Sequence, residues 1–199
     1  REILAGLRKR VTAAGRMLSF TPTCSIHGEV LHNHTYENTL REGDLLLVDA
    51  GATSPKHYAG DVTRTTPVGG SFSDRQRALY EAVLAAQNAA IDAMAPGVPF
   101  KDVHLLAART LTEHDMESLG EDYVGYADDQ TRSDQFGLNT LRLARPLREG
   151  FVVSVEPGCY FIPPLVEHWK QEGRHEAFIN YDSVEDFLDV GGIRIEDNV

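Results

Sequence analysis

Four carboxylates, each at one end of a segment with the composition of a buried β-strand, set the strongest condition on how this chain folds. Asp49 follows a run of leucine and valine, and Glu156 follows a run of valine and serine. Asp61 begins a segment rich in β-branched residues, and Glu196 ends a segment that contains two isoleucines. A carboxylate among sheet-forming residues loses water, which is costly unless the acid is paired or bound to a metal. The four together predict a shared cation.

Taken singly, each of these acids also has an ordinary structural explanation. Asp49 and Asp61 stand near glycine, where an aspartate commonly caps a turn. Glu156 can form an ion pair with an arginine, and Glu196 can be an exposed acid at a strand end. The joint pattern outweighs these explanations, because four separate coincidences are harder to account for than one common cation.

The connection between Asp49 and Asp61 favours convergence of the acids. It contains Gly51, Pro55 and Gly60, so the flanking strands can turn back and pair in antiparallel fashion. Clustered carboxylates suit Mn²⁺, Mg²⁺ or Ca²⁺, and Zn²⁺ or Co²⁺ becomes competitive when a histidine joins. Four carboxylates carry more charge than one divalent ion neutralises. The pattern therefore favours two metals that share ligands and polarise a water together.

Hydrophobic periodicity predicts three helices. The clearest covers 74–95, with Ser73 and Gln76 as a capping box at its start and Pro96 after its end. The other two predicted helices cover 1–15 and 101–112.

Short apolar or β-branched runs predict four strands, at 44–50, 61–66, 151–156 and 192–196. In the last of these, Ile193 and Ile195 alternate with polar residues, which predicts burial on one face only. The polar segment 117–140 is predicted to be mainly loop, and the charged segment 164–176 to be solvated.

Composition excludes several classes of partner and location. The formal net charge is −11, and so acidic a surface repels phosphate backbones, which excludes nucleic acid as an expected partner. No apolar run approaches the length of a membrane span and no secretory signal is visible, so a cytoplasmic location without membrane contact is expected. Cys24 and Cys159 are too few for a disulfide scaffold and are expected to be reduced thiols in or near the core.

The four acids lie in ordered motifs that resemble those of a known family. The motifs are VDAG at 48–51, GDVTRT at 60–65, VEPG at 155–158 and GIRIEDN at 192–198. In this order they resemble the proline-specific aminopeptidase P and prolidase family, whose fold is the creatinase/methionine-aminopeptidase "pita-bread" fold. The segment 26–38, with LHNH at 31–34, and the HDME sequence at 114–117 also resemble that family. The resemblance covers the chain from about Ser25 onward.

The resemblance implies an α+β fold in which two related antiparallel-sheet halves, each backed by helices, clasp a dinuclear metal site. It also implies a metallopeptidase that cuts the peptide bond before proline in Xaa-Pro peptides. The metals would be two divalent ions, with Mn²⁺ favoured and Co²⁺ or Zn²⁺ as alternatives. A homodimer is common in the family. Whether the enzyme is an aminopeptidase or a dipeptidase stays open.

Matching the motifs residue by residue implies a role for each acid. Asp49 would chelate one metal, and Asp61 and Glu196 would bridge both. Glu156 would bind the second metal and act as the general base toward the bridging water.

The resemblance also implies catalytic residues outside the acids. His32 would lie at the substrate pocket, near the N-terminal side of the peptide, and His34 is an alternative for that role. His114 would contact the substrate and stabilise the transition state. Arg194 would support the site through an ion pair or contact the substrate.

One departure from the family concerns a metal-binding histidine. The family carries it in a glycine-rich stretch just ahead of the segment that matches His114, and this chain has no such stretch. The helix predicted to end near Glu113 leads directly into His114, without glycine or proline to turn the chain. The resemblance also implies a preceding N-terminal domain and a closing strand beyond Val199. We therefore expect 1–199 to be a single catalytic domain that is incomplete.

Three explanations account for the missing stretch between Glu113 and His114: residues omitted from this sequence, a gene fragment, or a natural deletion. Omission is favoured over a true deletion. If the deletion is natural, the rival function is a catalytically inactive pita-bread binding module that has lost a metal ligand. A metal-free hydrolase is disfavoured, because four clustered carboxylates without a cation would repel one another.

Overall fold

The computed structural model describes residues 1–113, 141 and 143–199. The helices in these residues are α1 (Glu2–Ala13), α2 (Asp74–Asp92), α3 (Phe100–Glu113), α4 (Pro163–Gln171) and α5 (Tyr181–Glu185). The strands are β1 (Thr23–Ser25), β2 (Leu45–Ala50), β3 (Val62–Pro67), β4 (Ser154–Val155), β5 (Gly158–Tyr160), β6 (Gly192–Arg194) and β7 (Asp197–Asn198). The predictions made for His114 and for 117–140 lie outside the described residues.

The first half of the molecule is an antiparallel sheet with the strand order β1-β2-β3. The strands predicted at 44–50 and 61–66 are confirmed as β2 and β3, each beginning one residue later. Asp49 lies opposite Thr63 in the register of these two strands. The connection between the acids therefore reverses the chain as predicted.

The three predicted helices are confirmed as α1, α2 and α3. The capping box of α2 forms: the Ser73 hydroxyl accepts from the Gln76 N–H, and the Gln76 side chain accepts from the Ser73 N–H. Helix α2 ends at Asp92, three residues before the predicted end. It packs against α3 and against β4, β5 and β6, and its Val83 lies in one core cluster with Leu45 of β2, so α2 contacts both halves.

The second half is built from two short antiparallel pairs, β4 with β7 and β5 with β6. The prediction of a strand over 151–156 is wrong for most of its length, because only Ser154–Val155 forms a strand. Its partner β7 is itself only two residues long and offers no longer ladder. Phe151 and Val152 are accordingly exposed.

The predicted strand at 192–196 is buried on both faces, so the prediction of one-sided burial is wrong. Ile193 and Ile195 pack in a core with Val83 of α2. Arg194 and Glu196, on the other face, lie under β3 and hydrogen-bond to its threonines. The two polar side chains are buried because each has partners there.

Helices α4 and α5 lie in the excursion between β5 and β6. Sequence reasoning predicted the segment 164–176 to be solvated, and His168 and His175 are indeed exposed. It missed helix α4, whose signal is the pair of prolines in the first turn. Trp169 packs edge-on near the ring of His175.

The two halves meet at Thr63 of β3 and Glu196. The N–H of Thr63 donates to the Glu196 carbonyl at 3.3 Å, and the N–H of Glu196 donates to the Thr63 carbonyl at 3.1 Å. This pair, together with the core cluster that joins Leu45 to Ile193, fixes one half against the other.

Both cysteines are free thiols and are partly buried, as predicted. Burial raises the pKa of both, that of Cys159 to about 11, so neither is an activated nucleophile. Within the described residues, no helix combines the length and the apolarity that a bilayer crossing requires.

Candidate metal centre

Asp49 faces the interior because β2 buries every second residue. Leu45, Leu47 and Asp49 occupy the buried positions, and only 7% of Asp49 is exposed. Its Oδ2 accepts a hydrogen bond from Nη2 of Arg194 at 2.6 Å. Its Oδ1 is buried and has no hydrogen-bond partner in the described part of the chain. One oxygen of a buried carboxylate is therefore left for a ligand.

Asp61 lies near Asp49 because the backbone segments that contain Gly51 and Gly60 are in close contact. A Cβ on Gly51 would lie 1.6 Å from the carbonyl oxygen of Gly60, so the contact requires glycine. Gly60 directly precedes Asp61, whose N–H donates to Oδ1 of Asn198 at 2.8 Å. Like Asp49, Asp61 has a buried Oδ1 with no partner among the described residues.

Glu196 is the most buried acid of the site, with 1% of its surface exposed. Its Oε2 accepts from the hydroxyl of Thr63 at 2.7 Å. Its Oε1 is buried and lacks a hydrogen-bond donor in the described structure. The carboxylate is thus oriented by one oxygen and unsatisfied at the other.

These three acids form a cluster with the chemistry of a metal site. One carboxylate oxygen each from Asp49, Asp61 and Glu196 can be chosen so that all lie within 4.8 Å of one another. Each acid also has a buried oxygen that finds no hydrogen-bond partner in the described part of the chain, and such atoms are rare and costly in proteins. A hard divalent cation would satisfy these oxygens and neutralise the repulsion between them.

Burial, together with an excess of negative over positive charge at the cluster, raises the pKa of two of its acids. Burial, followed by the charge of Asp49, raises the pKa of Asp61 from 3.8 to about 6. Burial also raises the pKa of Glu196 from 4.5 to about 7, although the hydrogen bond from Thr63 opposes the shift. Without a cation, both carboxyl groups therefore release their protons at a higher pH than ordinary Asp and Glu side chains do.

Arg194 partly offsets this negative charge from behind the cluster. Besides the ion pair with Asp49, its Nε donates to the hydroxyl of Thr63 and its Nη1 donates to the hydroxyl of Tyr160, both at 3.2 Å. Its guanidinium is almost fully buried. The structure therefore gives Arg194 an ion-pairing position, one of the two supporting roles expected from the sequence.

Sequence reasoning missed three residues that hold this arrangement: Thr63, Thr65 and Tyr160. The two threonines occupy the buried positions of β3, on alternate residues after Asp61. Thr65 fixes the backbone of Arg194, since its hydroxyl donates to the Arg194 carbonyl and accepts from the Arg194 N–H. The period-two spacing from Asp61 was a signal that could have found the threonines. Tyr160 carried no such signal.

Glu156 is not part of the three-oxygen cluster. It is exposed, and its Oε1 accepts from the hydroxyl of Ser154 at 3.1 Å. Its charge nevertheless contributes to the raised pKa of both Asp61 and Glu196, which places it beside the cluster. Glu156 follows β4, and as an exposed side chain it is free to turn toward a ligand. Its role as metal ligand and base stays a prediction.

Two of the histidines selected from the sequence, His32 and His34, are not part of the three-acid cluster. His32 and His34 are exposed in the segment between β1 and β2, and His32 has a positive φ of 54°. Positive φ is uncommon outside glycine, although histidine adopts it more often than most other residues. His114 lies beyond the described residues.

The whole chain, residues 1–199, matches the family model described as metallopeptidase family M24. The chain belongs to this family. Membership confirms the resemblance to aminopeptidase P and prolidase that the ordered motifs indicated. It also implies divalent metal ions, which the donor set of Asp49, Asp61 and Glu196 fits.

Named relatives of this M24 chain fall into two groups. The "Xaa-Pro dipeptidase" of Rattus norvegicus is 32% identical over 196 residues, covering 82% of the chain and 39% of the relative. The "Probable Xaa-Pro aminopeptidase" of Fusarium vanettenii is 34% identical over 233 residues, covering 100% of the chain and 50% of the relative. The chain thus spans half or less of the length of these relatives.

Solved structures confirm the pita-bread fold. The "Prolidase from Pyrococcus furiosus" superimposes with a TM-score of 0.70 at 27% identity, covering 100% of the M24 chain and 51% of that chain. The aminopeptidase PepP of Pseudomonas aeruginosa gives a TM-score of 0.70 at 26% identity, covering 100% of the M24 chain and 46% of that chain. The predicted α+β architecture with antiparallel sheets and supporting helices is therefore confirmed.

Proposed function

We propose that this chain is the catalytic part of a metallopeptidase that hydrolyses the bond before proline in Xaa-Pro peptides. The observation that carries the proposal is the set of three unpaired, buried carboxylate oxygens of Asp49, Asp61 and Glu196. Relatives from both named groups, Xaa-Pro dipeptidases and Xaa-Pro aminopeptidases, support the specificity for proline.

The proposed ligands are the four acids of the sequence motifs. Asp49 would hold one ion, Asp61 and Glu196 would be shared by both, and Glu156 would complete the second by turning inward from its exposed position. Two divalent ions, of which Mn²⁺ is the proposed native species, would lower the pKa of a shared water and polarise the scissile carbonyl. Co²⁺ and Zn²⁺ are alternatives.

The chain's own residues supply the remaining chemistry. Glu156 takes the proton of the attacking water and returns it to the leaving proline nitrogen. His32 contacts the N-terminal side of the peptide, and His114 stabilises the charge that develops on the scissile carbonyl. Arg194 orients Asp49 through their buried ion pair.

We also propose where this chain lacks a stretch found in a relative, and where and in what oligomeric form the protein occurs. The alignment to the Fusarium vanettenii relative extends over 233 residues although this chain has 199, which supports a stretch that the relative has and this chain lacks. We place that stretch between Glu113 and His114 and expect it to hold the family's histidine ligand. We further propose a cytoplasmic homodimer with no nucleic-acid or membrane partner.

The experiment that tests this function measures metal content and peptide hydrolysis on the same protein. Metal is removed, Mn²⁺ is added back, and an Ala-Pro dipeptide and an Ala-Pro-Ala tripeptide are compared with the same peptides carrying alanine for proline. We expect hydrolysis of the proline peptides only, and only with metal. Asp61→Asn should abolish it, whereas Asp102→Asn, an exposed acid in the first turn of α3, should not.

Binding of Mn²⁺ without hydrolysis of any proline peptide would favour the inactive binding module. Absence of metal binding would remove the metallopeptidase proposal for this chain.

A further inference from the structure

The two acids that are proposed to bridge the metals come from different halves, and each is held by a side chain of the opposite half. The N–H of Asp61, in the first half, donates to Oδ1 of Asn198 in β7 at 2.8 Å. The carbonyl of Glu196, in the second half, accepts from Nη1 of Arg64 in β3 at 2.7 Å. The two contacts are reciprocal across the seam between Thr63 and Glu196.

Arg64 makes three contacts at this seam. Nη1 donates to the carbonyls of Thr63, at 2.8 Å, and Glu196, and Nη2 donates to Oδ1 of Asp197 at 2.7 Å. Arg64 therefore binds the two residues whose backbones pair the halves. It lies on the exposed side of β3, and within the described structure none of these acceptors is a carboxylate of the three-acid cluster.

The contacts of Arg64 are connected to helix α2 through Asp197. Oδ2 of Asp197 accepts from Nε2 of Gln87 at 3.0 Å. Gln87 is 2% exposed and also donates to the Val155 carbonyl in β4 at 3.4 Å. The network thus runs from α2 through β7 to β3 and ties the seam to the helix that packs on both halves.

We propose that Arg64 and Asn198 are positioning residues that set the separation of the Asp61 and Glu196 carboxylates, and thereby decide whether the site holds two divalent ions or one. This inference rests on the proposed function. Two-metal sites keep their ions about 3.5–4 Å apart. Bridging ligands must be held within about 0.5 Å of the productive geometry. The backbone pair and the core cluster join the halves, and the contacts of Asn198 and Arg64 in addition hold the segments that carry Asp61 and Glu196.

A purely structural role for Arg64 predicts a different pattern. In that case its loss would lower thermal stability and leave the number and coupling of the bound ions unchanged. A positioning role predicts loss of the second ion in protein that is still folded. Paramagnetic resonance distinguishes the two, because a coupled Mn²⁺ pair and isolated Mn²⁺ ions give different spectra.

The test titrates Mn²⁺ into the metal-free full chain and its variants Arg64→Gln, Asn198→Ala and Arg75→Gln. Arg75 is the matched control, a half-exposed arginine that pairs with Asp189 away from the acid cluster. Calorimetry gives affinity and stoichiometry, resonance gives coupling, and thermal melts show which variants are folded. Arg64→Lys retains the charge and is the rescue variant.

We expect Arg64→Gln and Asn198→Ala to bind the second ion at least about tenfold more weakly and to lose the coupled spectrum. Arg64→Lys should restore part of the coupling, and Arg75→Gln should bind as the parent does. Should Arg64→Gln fail to fold, Asn198→Ala alone decides the matter. Parent-like affinity and coupling in folded Arg64 or Asn198 variants overturns the inference. A parent chain that binds no coupled pair instead overturns the dinuclear part of the proposed function, so the two failures are distinguishable.

Discussion

The guanidinium of Arg194 lies 2.6 Å from Oδ2 of Asp49, so one acid of the cluster has a fixed positive partner that belongs to the protein itself. The ion pair crosses the seam, because Asp49 belongs to the first half and Arg194 to the second. The ion pair orients Asp49 through Oδ2 and leaves its buried Oδ1 for a ligand. Among the residues that the structure describes, Asp61 forms no ion pair, and burial together with the charge of Asp49 raises its pKa to about 6.

Removing Arg194 should destabilise the protein strongly, because it leaves Asp49 as a buried and uncompensated charge. We expect Arg194→Met to lower the free energy of unfolding by about 3 kcal/mol, the usual cost of breaking a buried ion pair on one side. Urea denaturation measures the change. Arg75→Met, which breaks a half-exposed pair, should cost less than about 1 kcal/mol. Equal effects of the two variants would contradict the role given to the Arg194 pair.

The metal-free protein should lose stability as the pH rises from about 4 to about 7. Asp61 and Glu196 have pKa values near their ordinary 3.8 and 4.5 when unfolded, but about 6 and 7 when folded. The folded state therefore binds more protons across this window, and stability is lost as they dissociate. Saturating Mn²⁺ should remove the loss, because the cation replaces the protons.

Thermal melts between pH 4.5 and 8, with chelator or with Mn²⁺, measure this effect. Glu196→Gln is the control, since it removes the more strongly shifted group and should flatten the metal-free profile. A metal-free protein that gains stability over the same range would show that the acids are not clustered in solution.

Thr63 should tune the metal affinity of Glu196 through a single hydroxyl group. Thr63→Val preserves shape but removes the donor to Oε2 of Glu196, which leaves that carboxylate less firmly oriented. Hydrogen bonds to ligating carboxylates typically change metal affinity by about 10- to 100-fold when lost, so we expect a loss in that range. Mn²⁺ titration measures it. Thr63→Ser keeps the hydroxyl and should bind nearly as the parent does; a Ser variant as weak as the Val variant would assign the effect to packing.

The sequence predicted the site best where strand periodicity and turn signals act locally. Asp49 is buried because β2 alternates, and Asp61 approaches it because the intervening glycines allow the chain to reverse. Local patterns could not show that Glu156 is exposed beside the cluster, since nothing near it specifies its rotamer. They also missed Tyr160, which reaches the site only through pairing of β5 with β6.

In the fold, too, elements with local signals were predicted, and elements that depend on distant partners were not. The three long helices were predicted to within three residues, because hydrophobic periodicity, and in α2 a capping box, lie in their own sequence. The short strands β1, β5 and β7 exist only through their partners, and two or three residues carry too little pattern to predict. Residues 192–196 were predicted to have a solvated face because the sequence does not show that β3 covers their polar side chains.

The contact between Gly51 and Gly60 should be the least tolerant backbone position near the site. A Cβ at Gly51 would lie 1.6 Å from the Gly60 carbonyl oxygen, and that atom belongs to the backbone that leads into Asp61. Gly51→Ala must therefore push the Asp61 segment away from Asp49. We expect it to weaken Mn²⁺ binding by at least about tenfold, as misplaced ligands do, and to lower the thermal midpoint. Gly6→Ala is the matched control: a Cβ at Gly6 meets nothing within 4 Å, and alanine favours helix α1 by up to about 1 kcal/mol. Metal titrations and melts of the two variants give the comparison, and parent-like Mn²⁺ binding by Gly51→Ala would show that the glycine contact does not place Asp61.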